Sequence, residues 1–503
     1  MPDLPRSSGI LMHPSSLPGR RGIGEIGRTA LDFGRCLTDA GQQWWQLLPL
    51  NPPGWDASPY ASYSAFAGNP LLLDLESLCQ RGWLSNTELN DLESACAELD
   101  EHRYPDERVN PLRRELLESA YQRWNRRGRT EVGDFEEFCS NQADWLDDHA
   151  LFVALRDEHG GADWRQWPPA LVERRTEALD DARDRLAAEI ECEKFLQWRF
   201  DRQWRRLRGQ LEKEEVEFIG DVPIFVSMDS ADVWANRELF RIDRSGVPEG
   251  VAGVPPDYFS ETGQKWGNPL YDWDAHAEDD FEWWRRRLER TLATVSLARI
   301  DHFRGFEAYW EVPPEAPTAE TGQWRDGPGD TFFETMREHF DGLPFVAEDL
   351  GTIGDEVREL RDRHELPGMR VIQFAFTGDP DHPFLPENYP RRTVAYTGTH
   401  DNDTTVGWYR DLDDQTRRRV DEYVSKGAHD GPADVMWELI DAISASEAAM
   451  SIFPVQDILE LGSDARMNTP GTEGGNWAWR MTAVGLRADG WERLAEITGR
   501  HGR

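Results

Sequence analysis

Hydrophobic periodicity divides the chain into three stretches. The first 75 residues read as loops and short strands, with Gln43 to Leu50 (QWWQLLPL) as a buried strand candidate ended by Pro49. From about Asp74 to Gln210 the apolar spacing changes to the helical 3.6-residue period, as in LRRELLESAYQRWNRR, ADWLDDHALFVALRDEHG and EIECEKFLQWRFDRQWRRLRGQLEKE. Their densely charged faces read as solvated surface. Strand-like runs return at EFIGDVPIFV (217–226) and recur at TVSLARID, LPFVAED, GMRVIQFAF, TVAYTGTHD and SIFPVQDIL. Helical candidates alternate with them: FEWWRRRLERTL, GDTFFETMREHF, IGDEVRELRDRH, a helical part from Gln415 to Met450, and a closing helix. Strand–helix alternation predicts βα units and a parallel sheet. Carboxylates at several strand ends favour a closed (β/α)8 TIM barrel of α/β class. An open doubly wound sheet is the alternative, but it lacks an early GxGxxG or a Gly-Lys-Ser/Thr loop. The expected organisation is one catalytic barrel over 1–503. It is interrupted by a helical insertion at about 74–210 and by smaller inserted loops at about 245–275 and 465–480.

Composition narrows the partners. Lys+Arg number 56 against 94 Asp+Glu, a net charge of -38. That surplus argues against nucleic acid and against an anionic membrane surface, and it fits a neutral substrate. Lysine occurs only at Lys194, Lys213, Lys265 and Lys426. An acidic, lysine-poor surface suits high salt, which screens its self-repulsion. The unfolding midpoint is therefore expected to hold or rise between roughly 0.1 and 2 M salt, a steep fall being the opposing result. Cys36, Cys79, Cys96, Cys139 and Cys192 are scattered and odd in number, without CxxC. They predict neither a disulfide scaffold nor a zinc site. There is no secretory h-region and no run of 18 apolar residues, so a cytoplasmic protein is expected. The 22 Trp are open to two readings, core packing or sugar stacking.

Three segments carry the candidate chemistry: ARIDHFRGF, FVAEDLG and YTGTHDND. Each sets a carboxylate where an apolar run ends, which suits acid/base and nucleophilic work at a sugar acetal. Asp301 is the candidate nucleophile, with Arg299 two residues earlier on the same strand face to keep it ionised. A structural Arg–Asp pair reads equally well. Glu348 is the candidate general acid, its pKa raised by desolvation at the rim, or else a cap on the loop EDLG with Asp349 exposed. Asp401, with His400, is the third candidate and could hold sugar hydroxyls; a turn Asp is the plainer reading. The loop NPPGWDASPYASYSAFAGNP offers Tyr60 as an aromatic platform. Tyr258, Phe259, Gln264 and Trp266 lie in one Gly/Pro-rich loop, and Asn468 and Asn476 with Trp477 in another; both loops could wrap a carbohydrate or simply pack down.

These segments are long and specific. SPYASYSAFAGNP, GDVPIFVSMDSADVW, PPDYFSETGQKWGNPLYDW, RIDHFRGFEAYW, VAEDLG, TGTHDNDT and MNTPG closely resemble the amylomaltase or disproportionating-enzyme family. That family comprises 4-alpha-glucanotransferases among the alpha-amylase-like retaining enzymes, and the resemblance spans essentially the whole chain. It implies Asp301 as nucleophile, Glu348 as acid/base and Asp401 as transition-state stabiliser. It also implies sugar contacts at Tyr60, Asp221, Arg299, His302 and His400, with the Tyr258/Phe259 loop covering the acceptor side opposite Asn468. The implied reaction moves alpha-1,4-glucan segments between maltooligosaccharide donor and acceptor by retaining double displacement. It needs no metal or organic cofactor, and the expected assembly is a monomer or weak homo-oligomer. A hydrolase on the same carboxylates and a non-catalytic glucan-binding protein are the rival readings.

Overall fold

The apolar runs that end in polar residues lie side by side. The computed structural model describes residues 4–54, 57–256, 260–351, 353–424, 430–472 and 474–503, with every side chain among them except that of Asp106. Eight strands close a barrel: β1 Ser7–Leu11, β2 Trp44–Gln46, β3 Glu217–Pro223, β4 Leu297–Asp301, β5 Phe345–Ala347, β6 Gly368–Val371, β7 Thr393–Tyr396 and β8 Met450–Pro454. All neighbours are parallel and follow chain order, and β1 pairs with β8 to close the ring. This is the predicted (β/α)8 barrel. Several strands are shorter than their apolar runs. The run from Gln43 forms three strand residues, and SIFPVQDIL leaves the sheet at Pro454 to begin a helical turn at Val455.

Strand alternation sorts the side chains. On β2, Trp45 points outward against Phe33 (4.7 Å between ring centroids) and Phe218 (5.4 Å), and Phe218 meets Trp204 at 5.2 Å. Gln46 points inward, where the Tyr396 hydroxyl of β7 donates to it across the barrel (2.9 Å). On β3 and β4 the register pairs Asp221 with Arg299 and Pro223 with Asp301. Polar groups thus enter the interior at the C-terminal rim, where barrel enzymes place their chemistry. Core packing accounts for most of the tryptophans, among them Trp45, Trp124, Trp164, Trp198, Trp204, Trp234, Trp284 and Trp437, all essentially inaccessible.

Between β2 and β3 the chain is helical from Leu75 to Leu211. Its longest helix, Ala187–Leu211, packs on the helices Asp106–Arg126, Val132–Asn141 and Ala143–Glu158 and also on β3. Two features depart from the sequence reading. Arg28–Asp39 is a helix inside the stretch read as loops and strands, burying Ala30, Phe33, Gly34 and Leu37 at helical spacing. A four-stranded antiparallel sheet occupies part of the region read as loop, ordered Gln264–Pro269, Val251–Val254, Ala308–Val312, Gln323–Asp326. Its edge strands, QKWGNP and QWRD, are mostly exposed and carry no apolar run, so only pairing defines them. Among the described residues no helix is long and apolar enough to cross a membrane.

At the opposite end of the barrel a buried guanidinium, Arg503, and a half-buried one, Arg6, close the ring. Arg503 donates to the carbonyls of Ser444 (2.6 Å), Ser446 (3.1 Å) and Ser7 (3.2 Å). Arg6 reaches Ser446 and Ser444, both at 2.7 Å. Both cations sit where the helix Pro432–Ala445 ends, which its dipole favours. Burial, with Arg6 nearby, lowers Arg503 to about 9. Arg503→Met strands several carbonyls and is expected to cost about 2 kcal/mol. Denaturant unfolding would read this as a lower midpoint at unchanged slope.

Candidate active site

Asp301 is the last residue of β4, and Arg299 precedes it on the same inward face. Arg299 is buried and shared: Nη1 donates to both oxygens of Asp221 (2.8 and 2.7 Å), and Nη2 lies 2.9 Å from Asp301 Oδ1. The Arg–Asp contact expected from the sequence is present, but its consequence differs. Burial raises Asp301 to about 6, against the pull of Arg299, and the neighbouring Asp221 and Asp401 add to the rise. One guanidinium serving two carboxylates does not outweigh desolvation. The Asp301 side chain keeps 28% of its surface open to the rim.

Glu348 follows β5 directly. Its Oε2 accepts from the His302 N–H (2.8 Å) and its Oε1 from the Leu350 N–H (2.8 Å). The capping role and the site position therefore coincide. Burial raises Glu348 to about 7, with Arg299 opposing and Asp301 adding. Asp349 is buried rather than exposed, held by Arg361, Arg370 and the Met369 N–H. That fixes the direction in which the chain leaves β5.

Asp401 sits in the loop after β7. Burial pushes its pKa up, but His400 (Nε2 to Oδ2, 3.3 Å) and the Asn468 amide (Nδ2 to Oδ1, 2.6 Å) outweigh burial and hold it well below the carboxylate range. His400 is correspondingly raised: burial lowers it, and Asp401 more than reverses that. Asp401 leaves 43% of its side chain exposed. The loop is pinned at both ends by Asp457, which is fully buried after β8 and accepts from Thr397 Oγ1 (2.6 Å), Thr405 Oγ1 (2.7 Å) and Thr405 N (2.8 Å). Asp457 is a carboxylate near the end of an apolar run, like the three candidates. Its saturation by internal donors makes it a structural brace.

The other candidates gather unevenly. Tyr60 donates to Asp221 Oδ2 (2.7 Å), stacks on His400 (5.1 Å, 19°) and lies 5.5 Å from Trp477. Asp221, Arg299, Asp301, Tyr60 and His400 thus form one connected patch. His302 has a left-handed backbone (φ 52°), which aims its N–H at Glu348. Its ring meets Trp266 edge-on at 4.9 Å, and burial and Arg304 lower it to about 3, leaving the imidazole neutral. Its Nε2 is buried with no hydrogen-bond partner among the described residues. Trp266 is 39% exposed, and its indole N–H donates to Gln264 (3.2 Å). Asn468 holds Asp401 rather than standing free in its loop. Tyr258 and Phe259 lie outside the described residues. Trp477, with φ 59° and its ring 5.9 Å from His400, completes the aromatic group. The sequence reading sets Trp477 beside Asn468 and Asn476 in one loop, and the structure brings that tryptophan to His400 and Tyr60.

Known proteins resemble this chain along nearly its whole length. A family model described as 4-alpha-glucanotransferase matches residues 12–486. The 4-alpha-glucanotransferase of Thermus thermophilus is 46% identical, with 99% of this chain and 100% of the relative covered. That of Synechocystis sp. is 45% identical, with 94% of each covered. The structure of amylomaltase from Streptococcus agalactiae in complex with acarbose superposes with a TM-score of 0.94 at 36% identity, covering 99% of both chains. The amylomaltase of Corynebacterium glutamicum, at 18% identity and a TM-score of 0.77 over 98% of this chain and 75% of its own, shares the fold. The chain belongs to the 4-alpha-glucanotransferase family.

Proposed function

We propose that this enzyme moves alpha-1,4-glucan segments between maltodextrins by double displacement, with Asp301 as nucleophile, Glu348 as acid/base and Asp401 as stabiliser. The observation that carries the reading is the arrangement of three carboxyls at one rim: Asp301 bound to Arg299, Glu348 held by the His302 and Leu350 N–H groups, and Asp401 held by His400 and Asn468. In this reading the Asp301–Glu348 pair shares one proton near neutrality, which Glu348 carries as the acid, while Asp401 is anionic. An Asp301 oxygen attacks the anomeric carbon as the bond to the leaving glucan's O4 breaks, and Glu348 gives that oxygen its proton. A glycosyl ester on Asp301 results. Glu348, now a carboxylate, takes the proton from the 4-hydroxyl of an incoming glucan. That oxygen attacks the anomeric carbon and frees Asp301. Two inversions retain the alpha configuration. Asp401, ionised throughout, stabilises the positive charge that develops on the ring in each step.

In this reading Tyr60, His400 and Trp477 form the platform under the central sugar, and His302 offers its unpartnered Nε2 to a hydroxyl. Gln264 and Trp266, with the loop bearing Tyr258 and Phe259, line the acceptor side; Asn468 acts on sugar through Asp401. The acarbose complex of the streptococcal relative supports a maltooligosaccharide ligand here. One catalytic barrel interrupted by the helical segment is the domain reading that fits, and a cytoplasmic location suits five unpaired thiols.

Incubation with maltotriose is the test. Transfer gives free glucose together with maltodextrins longer than the substrate; glucose and maltose alone would mean hydrolysis, and no change would mean binding without turnover or the wrong substrate. A pH profile adds a second check. On this reading kcat/KM falls below about pH 6 as Asp301 gains a proton and above about pH 7 as Glu348 loses its own. Replacing Asp221 by Asn removes a charge that raises Asp301, so the acid limb should move to lower pH. An acid limb that stays put would remove Asp301 from the titration.

A further inference from the structure

We infer that Gln197, in the helical segment between β2 and β3, is a positioning residue that holds the loop carrying Tyr60 over the central sugar site. The inference rests on the reading of Tyr60 as sugar platform and gives the helical segment a part in the reaction. Gln197 is fully buried on the helix Ala187–Leu211. Its side-chain amide pairs with the backbone of Gly68 in both directions: Oε1 accepts from the Gly68 N–H (2.8 Å), and Nε2 donates to the Gly68 carbonyl (2.9 Å). The same Nε2 donates to Glu193 Oε1 (2.8 Å), which lies 3.2 Å from His149 Nε2. Only one orientation of the amide satisfies all three contacts.

The contact is built for position. A buried amide is costly unless satisfied, and an apolar side chain would fill this place at less cost. Glu193, Gln197 and Asp201 follow one another at i, i+4 and i+8 on one helix face. Asp201 binds Arg290 (3.0 Å), which in turn donates to the Phe66 carbonyl (3.1 Å). Phe200, between them, packs so closely on Gly68 that a Cβ there would lie 2.1 Å from its ring. The helix thus holds Gly68 directly and Phe66 through Arg290 of the helix Glu282–Leu292, while Glu193 and Asp201 also pair with His149 and Arg205.

The loop is stiff enough to transmit this. Ser64 Oγ accepts from the Phe66 and Ala67 N–H groups (3.1 and 3.2 Å), Asp232 accepts from the Ala65 N–H (2.8 Å), and the Tyr63 carbonyl accepts from Ala231 (2.9 Å). Asn69 N donates to the Leu50 carbonyl (2.8 Å), closing the loop at its base without setting its tilt over the rim. At the far end the Tyr60 hydroxyl meets Asp221, which shares Arg299 with Asp301. A shift at Gly68 therefore changes the seat of the sugar ring against the nucleophile.

The test is a double-mutant cycle on the full chain with maltotriose as substrate. Gln197→Met keeps the side-chain length and removes the amide. It is expected to lower kcat about tenfold with a smaller change in KM, in protein whose far-UV spectrum and thermal midpoint show it folded at the assay temperature. The Gln197→Met/Tyr60→Phe double variant is expected to fall no further than the worse single variant. If Gln197→Met does not fold, Glu193→Leu, which removes the acceptor for the Gln197 amide, takes its place, with a loss of about threefold in the same direction. Losses that multiply, or wild-type kcat in the folded Gln197 or Glu193 variant while Tyr60→Phe is impaired, overturn the inference alone. Wild-type turnover in Tyr60→Phe overturns the platform reading and the inference with it.

Discussion

Asp301→Asn is expected to reduce maltotriose turnover by at least about 10^4-fold while leaving glucan affinity within a few fold. The amide occupies the same volume and can still accept from Arg299 Nη2, now 2.9 Å from Oδ1. What it lacks is an anionic oxygen able to form the ester. The substitution has an electrostatic signature as well. Asp301 is among the groups that raise Glu348, after burial and against Arg299. Removing its charge should lower the Glu348 titration, which is readable in the free variant by infrared or NMR titration even though the enzyme is dead. Binding by calorimetry with turnover lost, and a lowered Glu348 value, together support the nucleophile assignment. Turnover within tenfold of wild type would refute it.

The sign of the Asp301 shift shows how far local sequence reaches. A charge pair two residues apart on one strand is legible, because alternation puts both side chains on the same face. That Arg299 also neutralises Asp221 is not legible locally, since Asp221 comes from the adjacent strand β3, some eighty residues earlier, and only the barrel register brings it alongside. Burial first, and then the sharing of Arg299 with Asp221, leave the Asp301 pKa raised where the local Arg–Asp pair alone predicts it lowered. Asp457 fails in the other direction. SIFPVQD resembles the three candidate segments, yet internal donors saturate its carboxylate. An apolar run ending at an acid finds the rim of the sheet without saying whether the acid faces substrate or braces a loop.

Most of the barrel was legible from strand–helix alternation, because βα units repeat one pattern that packing reinforces. The small antiparallel sheet was not, since strands such as Gln323–Asp326 are exposed along their whole length and exist through pairing alone. Arg28–Asp39 is illegible for a different reason: only four of its twelve residues are buried, Gly34 among them, amid short apolar runs. At the site, Tyr60, Arg299 and His400 stand out locally, whereas Asp221 and His302 are placed only by resemblance to a family. The contribution of Gln197 depends on a hydrogen bond to Gly68 across 129 positions, which no window along the chain contains.

Glu348→Gln is expected to lower transfer from natural glucans about a thousandfold, with a pattern that separates an acid/base from a mere cap. A donor whose leaving group needs no proton, such as a maltooligosyl fluoride, should still glycosylate Asp301. The ester should then persist, because no base activates the acceptor, and azide should restore turnover by capturing it as a glycosyl azide. Uniform loss with both donors and no azide rescue would indicate that Glu348 only shapes the loop after β5. Stability should move oppositely to activity. Burial raises Glu348 from its ordinary 4.5 to about 7 in the folded protein, so the folded state holds the proton more tightly than the unfolded one. The associated stability is fully present below about pH 4.5 and is lost as the pH rises to about 7. The variant cannot ionise and escapes that loss, by about 2 kcal/mol once the partial opening of the site to solvent is allowed for. Its melting temperature should therefore match wild type near pH 4 and exceed it at pH 8, as expected where a charged pair is held in a buried site for chemistry at the expense of stability.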